Sequence, residues 1–120
     1  MADTDTKGNS APFDLKGLNE MYGKETVAEL LAMSVDEARG LIAEIGRGIS
    51  ERNSRMVMEA AHQLKGLAST MTINDLANMS LQLETAARQN KWDGVSEMKA
   101  GLEKEFEHVA GYIQSILNTM

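Results

Sequence analysis

Apolar residues recur at intervals of three and four positions along almost the whole chain from Phe13 onward. This spacing places them on one face of an α-helix. The single proline and the 4% aromatic content argue against a sandwich or barrel with many turns. Met, Leu, Ala, Glu and Lys are good helix formers and dominate instead, and 120 residues suffice for one domain with one core. The sequence therefore predicts a single all-α domain.

The N-terminal part of the chain divides into a tail and a short helix. Residues 1–12 have no apolar periodicity, so we expect a flexible tail before a domain that spans residues 13–120. Asp14 can cap a first helix that begins at Leu15 and stops near Gly23.

A longer apolar stripe then runs from Val27 to Ile49. The run Ser34-Val-Asp-Glu37 has the pattern of a capping box, so the stripe fits either one helix or two helices that break near Ser34. The stripe also contains three glycines, at Gly40, Gly46 and Gly48. A glycine inside a helix costs about 1 kcal/mol relative to alanine, which indicates close packing or a bend here. We favour one bent helix.

Three further helices are expected. The third begins after Asn53 and ends near Met71, the fourth has Thr72 or Asn74 as its cap, and the last begins near Asp93. The predicted buried stripes of these helices are Val57, Ala60, Ala61, Leu64, Ala68 and Met71; Leu76, Met79, Leu83 and Ala86 or Ala87; and Val95, Met98, Leu102, Phe106, Val109, Ile113 and Ile116. Because the connections are short, neighbouring helices should be antiparallel. We therefore predict an antiparallel up-down four-helix bundle with a short additional N-terminal helix that closes one end.

Composition excludes several function classes. The absence of cysteine removes disulfide scaffolds, thiol catalysis and cysteine-rich zinc folds. A net charge of −6 disfavours nucleic acid as a partner. No stretch approaches the roughly 20 apolar residues of a membrane span, and the polar N-terminus lacks the apolar run of a signal peptide, so we expect a cytoplasmic protein that does not bind a membrane. Neither a nucleotide-binding glycine loop nor a metal-binding histidine motif is present, so we expect no metal and no cofactor.

His62 is the candidate for chemistry. It lies about 160° around the helix from Leu64, the centre of the buried stripe, so it should project into solvent. Lys65 and Gly66 lie next to it, one helical turn later. The positive charge of the lysine disfavours the imidazolium form and can pair with the negative charge of a phosphoryl group. The glycine leaves room for a second protein to approach. Arg55, Met58 and Ser69 share this broad face. From the spacing alone, an ordinary surface histidine stays an open alternative.

The segment Ala61-His-Gln-Leu-Lys-Gly66 resembles the His-x-Leu-Lys-Gly signature of histidine phosphotransfer (HPt) domains, the intermediates of two-component phosphorelays. The likeness extends beyond the signature. Phe13-Asp-Leu15 together with Met21-Tyr-Gly23 resembles the short first helix of the family, and Leu81-x-x-Glu-x-x-x-Arg88 resembles the helix that follows the signature. Two departures stand out. Leu67-Ala68 replace two small polar residues after the signature, and Thr72 stands where many members have a glycine ten residues after the histidine.

The resemblance implies a role for each matching residue. His62 would accept the phosphoryl group, Lys65 would support its charge and Gly66 would give the partner access. Glu84 stands where many members have a polar residue near the histidine, and its carboxylate would orient the imidazole; a solvated acid on the helix face is the alternative. Arg55, Met58 and Ser69 are predicted partner contacts. Met58 and Leu81 are further candidates for exposed apolar contacts, although buried edge positions are the favoured interpretation for both.

The resemblance also implies a function. The chain would accept a phosphoryl group from a receiver-domain phospho-aspartate, in a hybrid histidine kinase or a response regulator, and pass it to another receiver aspartate. The receiver would hold Mg²⁺, and this chain, without an ATP site, would be a monomeric phosphocarrier and not an autokinase. One alternative is a docking regulator that is never phosphorylated; others are a fragment of a chemotaxis-type kinase and, more distantly, a helical metal-binding protein. No role is expected for His108.

Overall fold

The computed structural model describes residues 11–119, and the predicted tail, residues 1–12, lies almost wholly outside that range. Within it the chain forms five helices and no strand. The helices are α1 (Leu15–Tyr22), α2 (Lys24–Ser50), α3 (Ser54–Thr70), α4 (Asn74–Arg88) and α5 (Val95–Asn118). None of the helices in residues 11–119 is both long enough and apolar enough to cross a membrane.

The four long helices form a closed ring. Helix α2 packs on α3 and α5, and α4 packs on the same two helices. Contacts at the two ends show that neighbours run antiparallel. At one end the Arg52 guanidinium lies 5.7 Å from the centroid of the Trp92 ring, which joins the α2–α3 and α4–α5 connections. At the other end Phe13 meets Tyr112 edge-on, with ring centroids 5.5 Å apart. The predicted antiparallel four-helix bundle is confirmed.

Helix α1 covers one end of the bundle, as predicted. The Asp14 carboxylate caps it by accepting a hydrogen bond from the Gly17 amide at 3.0 Å. Gly23 ends it with a φ of +88°, a conformation that glycine adopts without strain. Burial of Phe13 and Leu18 anchors the segment to the core. The first helix therefore begins after its Asp14 cap and ends at Gly23, as the sequence predicts.

The second apolar stripe is one continuous helix. The alternative of two helices that break near Ser34 is wrong, because Ser34 lies inside α2 and is buried. Close packing explains one of its glycines: a Cβ atom on Gly48 would lie 2.7 Å from Val57 Cγ2 and 3.1 Å from the Val57 backbone nitrogen. Gly48 thus sets how closely α2 approaches α3, the helix that carries His62.

Replacing Gly48 with alanine is expected to destabilise the bundle by about 1–3 kcal/mol, because a backbone atom in the way cannot move aside as a flexible side chain does. Gly40→Ala is the matched control in the same helix, since a Cβ there would meet nothing within 4 Å. That change should stabilise the protein by about 1 kcal/mol through helix propensity. Urea unfolding of both variants measures the two effects, and equal effects would contradict the close-packing role.

Three helices end on a residue with a positive φ that is not glycine: Arg52 (+52°), Thr72 (+61°) and Asn90 (+56°). At Thr72 the amide of the next residue, Ile73, donates to the Ala68 carbonyl at 2.8 Å, the bond of a Schellman motif.

The prediction that Thr72 or Asn74 caps α4 is therefore wrong. An N-cap needs an extended backbone, and Thr72 is left-handed; its hydroxyl instead accepts from the Asp14 amide at 2.8 Å. The cap position is Ile73, without a side-chain hydrogen bond, and Asn74 is the first residue of the helix.

The predicted apolar stripes of α3 to α5 form the core. Met79, Met98 and Ile116 are half-buried, and all the other predicted positions are buried, including both Ala86 and Ala87. This burial fixes the rotation of α3, because its apolar face can point only into the ring of helices. The opposite face of α3, which carries His62, is thereby turned outward and towards α4.

Candidate functional site

His62 lies on the outer face of α3 beside α4, directly after the buried Ala61. Its side chain is 64% exposed, as the helical spacing predicts. Its Nδ1 atom lies 3.0 Å from Glu84 Oε2, at hydrogen-bond distance. One ring nitrogen is therefore engaged by the protein, and the rest of the ring is open to solvent.

Glu84 is the centre of the site. It lies on α4 with only 4% of its side chain exposed, so the alternative of a solvated surface acid is wrong. Lys65 Nζ lies 3.1 Å from Oε1, and Arg88 Nη2 donates a hydrogen bond to Oε2 at 2.7 Å. Together with His62, three nitrogen-bearing side chains surround this one carboxylate. The α3–α4 seam thus contains a compact polar network in an otherwise apolar packing layer.

The pKa of Glu84 lies below its ordinary value. Burial raises the pKa, but the close contacts and positive charges of Lys65 and His62 lower it by more. The carboxylate is therefore ionised at neutral pH and can only accept hydrogen bonds. It follows that Nδ1 of His62 carries the hydrogen and donates it to Glu84. In the neutral ring the lone pair is then on Nε2, which is the nitrogen left free to react.

Acid is expected to remove the stabilisation that Glu84 gives the bundle. Its pKa is lower in the folded protein than in the unfolded chain, so the unfolded chain takes up a proton at higher pH. The stabilisation is complete at neutral pH and shrinks as the pH falls from the usual glutamate range through the lowered folded value. Urea unfolding of wild type and Glu84→Gln at several pH values measures this. The two should differ most in unfolding free energy at neutral pH, and a gap that widens in acid would contradict the assignment.

The surface beside His62 is open at Gly66. A Cβ atom on this residue would meet nothing within 4 Å, so packing inside the domain does not require the glycine. Leu81 is 43% exposed, and the buried edge position favoured for it from the sequence is wrong. The surface of α3 at Gly66, one helical turn after His62, thus has room for an added side chain. An exposed leucine lies on α4, the helix that carries Glu84.

The three predicted partner contacts all lie on α3, and none of them joins the network around Glu84. Arg55 and Ser69 are exposed, and the Arg55 Nε atom instead lies 3.0 Å from Glu59 Oε2. Met58 is half-buried against the core. The network also contains Arg88, which the sequence reasoning quoted in a motif but did not count as a site residue. Its position four residues after Glu84 on one helix face is the signal that points to it.

An exposed histidine beside a lysine, with its ring in contact with a buried carboxylate, defines a helical-bundle protein with an accessible, oriented imidazole. The Hpt domain family model matches residues 29–112, and the chain belongs to that family. It is accordingly a phosphotransfer intermediate of the phosphorelay class, a carrier and not a kinase.

Solved structures share the fold. The histidine-containing phosphotransfer protein B (HptB) from Pseudomonas aeruginosa PAO1 superposes with a TM-score of 0.84 at 20% identity, over 90% of this chain and 96% of that one. The histidine-containing phosphotransfer protein ZmHP2 from maize gives a TM-score of 0.85 at 20% identity, over 98% of each chain. No curated protein sequence matches the chain.

Proposed function

We propose that the protein accepts a phosphoryl group on Nε2 of His62 from a receiver-domain phospho-aspartate and passes it to the aspartate of another receiver. The observation that carries this proposal is the contact between His62 Nδ1 and the ionised Glu84, 3.0 Å away, on a ring that is otherwise exposed. It keeps the nucleophilic lone pair on the nitrogen that a partner can reach.

The transfer step balances without a cofactor on this chain. The Nε2 lone pair attacks phosphorus, the bond between phosphorus and the aspartyl oxygen breaks, and the carboxylate leaves with that electron pair. The Nδ1 hydrogen stays in place, so the product is a phosphoimidazolium whose positive charge faces Glu84. Transfer onward reverses these events, and the ring leaves as neutral imidazole. Since phosphoryl transfer needs alignment and charge neutralisation more than covalent assistance, a positioned ring and Lys65 are a sufficient contribution from this side.

The receiver would supply the rest. Its Mg²⁺ would neutralise the transferring phosphoryl oxygens, and Gly66 would let its active site approach the ring. Arg55, Met58 and Ser69 are proposed to contact the receiver around this opening, and the exposed Leu81 adds an apolar contact. The cytoplasmic location and the monomeric state predicted from the sequence are part of the proposal.

A transfer assay against a panel of receivers tests this function. Each receiver is loaded with a labelled phosphoryl group on its aspartate, in Mg²⁺, and mixed with the protein. We expect label on the protein that is lost in acid and kept in alkali, as a phosphohistidine requires. Label from no receiver, combined with measurable binding to one of them, would replace this proposal with the docking regulator.

A further inference from the structure

The two oxygens of the Glu84 carboxylate are held in different ways. Oε2 receives the Arg88 guanidinium at 2.7 Å and the His62 ring at 3.0 Å, both with hydrogen-bond geometry. Oε1 is buried and has no aligned donor, although Lys65 Nζ lies 3.1 Å away. One oxygen is therefore fixed by two hydrogen bonds, and the other has only a poorly directed ion pair.

This asymmetry identifies Lys65 as the partner that Glu84 holds least firmly. An ammonium group on a flexible four-carbon stem is a point charge that reorients easily, whereas a guanidinium binds in a fixed plane. The Lys65 side chain is 31% exposed, so its head can reach solvent beside the ring. Its present contact satisfies the charge of a buried oxygen but does not lock the lysine in place.

The charges of the network change when the histidine is phosphorylated. With a neutral ring, Lys65 and Arg88 together outweigh Glu84 by one positive charge. A phosphoryl group adds about −1.5 to −2 at neutral pH and attracts the mobile lysine, while the ring gains one positive charge that faces Glu84. A buried carboxylate left without a cation is strongly unfavourable. Lys65 can leave, and the ring loses its positive charge again when it passes the phosphoryl group on, so Arg88 is the cation that faces Glu84 in both states of the ring.

We propose that Arg88 is a positioning residue that holds Glu84 in place and charge-balanced, so that Lys65 can exchange from Glu84 Oε1 to the phosphoryl group on His62. This rests on the proposed function. Arg88 itself touches neither the reacting nitrogen nor the phosphoryl group, and it acts through the carboxylate. Among the residues 11–119, the charged or titratable groups in contact with Glu84 are His62 and Lys65 from α3 and Arg88 from α4.

The competing explanation is that Arg88 binds the receiver directly, since 54% of its side chain is exposed. The two roles differ in how they depend on Glu84. A positioning residue loses its effect when the carboxylate is removed, whereas a docking residue keeps its effect. A double-mutant cycle between Arg88→Gln and Glu84→Ala separates them.

The test measures the transfer rate to wild type, Arg88→Gln, Arg88→Lys, Glu84→Ala and the double variant, with folding checked by thermal unfolding. Arg39→Gln is the matched control, because Arg39 is equally exposed at 56% and is bonded to Glu107 at 3.0 Å on helices α2 and α5. We expect Arg88→Gln to slow transfer about tenfold, the low end of the loss that follows when the hydrogen-bond partner behind a metal-ligating side chain is removed. Arg88→Lys should restore part of the rate, and Arg39→Gln should leave it unchanged. In the Glu84→Ala background, Arg88→Gln should add nothing, and a tenfold loss that persists there would overturn the proposal.

A second readout needs no receiver. Nitrogen NMR of the His62 ring reports which nitrogen carries the hydrogen, and we expect Nδ1–H in wild type and a mixture of both tautomers in Arg88→Gln. An unchanged ring spectrum in Arg88→Gln would overturn the positioning role. Absence of transfer to wild type itself would contradict the phosphocarrier function, and the ring spectrum would still decide whether Arg88 acts through Glu84.

Discussion

Replacing His62 with glutamine is expected to abolish phosphoryl acceptance completely and to leave the bundle folded. Glutamine keeps a polar side chain of similar reach beside Glu84 but has no nucleophilic nitrogen. The ring is 64% exposed, so the stability lost should be about 1 kcal/mol, the value of one hydrogen bond. The transfer assay measures the first effect and urea unfolding measures the second.

His108→Gln is the control for this variant. The His108 side chain is also 64% exposed, and its Nδ1 atom lies 3.9 Å from Glu105 on α5. It therefore has the same chemistry and exposure without a buried carboxylate at hydrogen-bond distance, and His108→Gln should accept phosphoryl groups as wild type does. Label that survives in His62→Gln and disappears in His108→Gln would move the reactive site to α5. Unfolding of His62→Gln would show that the ring supports the fold.

The exposed position of His62 follows from the sequence because it depends on one helix alone. Five apolar residues on α3, together with Met71 at its C-cap, fix which face is buried, and all six are buried in the structure. Once that face is known, geometry places residue 62 on the other side. Short connections then fix the antiparallel order of the helices. Local periodicity and loop length thus suffice for the fold and for the exposed location of the His62 ring.

The environment of Glu84 does not follow in the same way. Its burial depends on how α4 is rotated and shifted against α3, which is decided by side chains 22 residues apart in the chain. The resemblance therefore implies an acid that orients the imidazole, and the alternative of a solvated acid stays open until the packing of the two helices is known. The same reason explains Leu81, which lies at the border between the apolar and polar faces of α4. Its exposure depends on how α4 is rotated against the neighbouring helix.

Thr72 shows a second reason why local sequence does not predict every feature of the structure. Threonine is a frequent N-cap, so its place before an apolar run predicts a cap for α4. The structure uses it instead as the left-handed residue that ends α3, the position where glycine is most common. A β-branched residue is unfavourable there, and the hydrogen bond from the Asp14 amide at 2.8 Å offsets part of that cost. A contact between residues 14 and 72 is invisible to any local rule.

Replacing Gly66 with glutamine is expected to slow transfer on the order of 10²-fold while making the protein more stable. Glutamine is the better helix former by about 0.5–1 kcal/mol, and a Cβ at this position meets nothing within 4 Å inside the domain. The added side chain would instead occupy the space above the seam, one turn from His62, where the receiver must bring its phospho-aspartate. A displacement of about 1 Å in a reacting pair is enough for a loss of this size.

Gly66→Ala separates crowding from any need for a flexible backbone. Alanine gives the same gain in helix propensity or more with only one added carbon, so a crowding effect should grow from alanine to glutamine while both variants unfold at higher urea than wild type. Transfer rates and receiver affinities measured on the two variants decide this. An equal loss of transfer in both variants would mean that transfer needs a flexible backbone at Gly66. A loss of stability in either variant would mean that packing within the bundle, and not a partner, requires the glycine. Because the structure leaves the space above Gly66 empty, we expect the rate to follow side-chain size, which is the behaviour of a surface built to be covered by another protein.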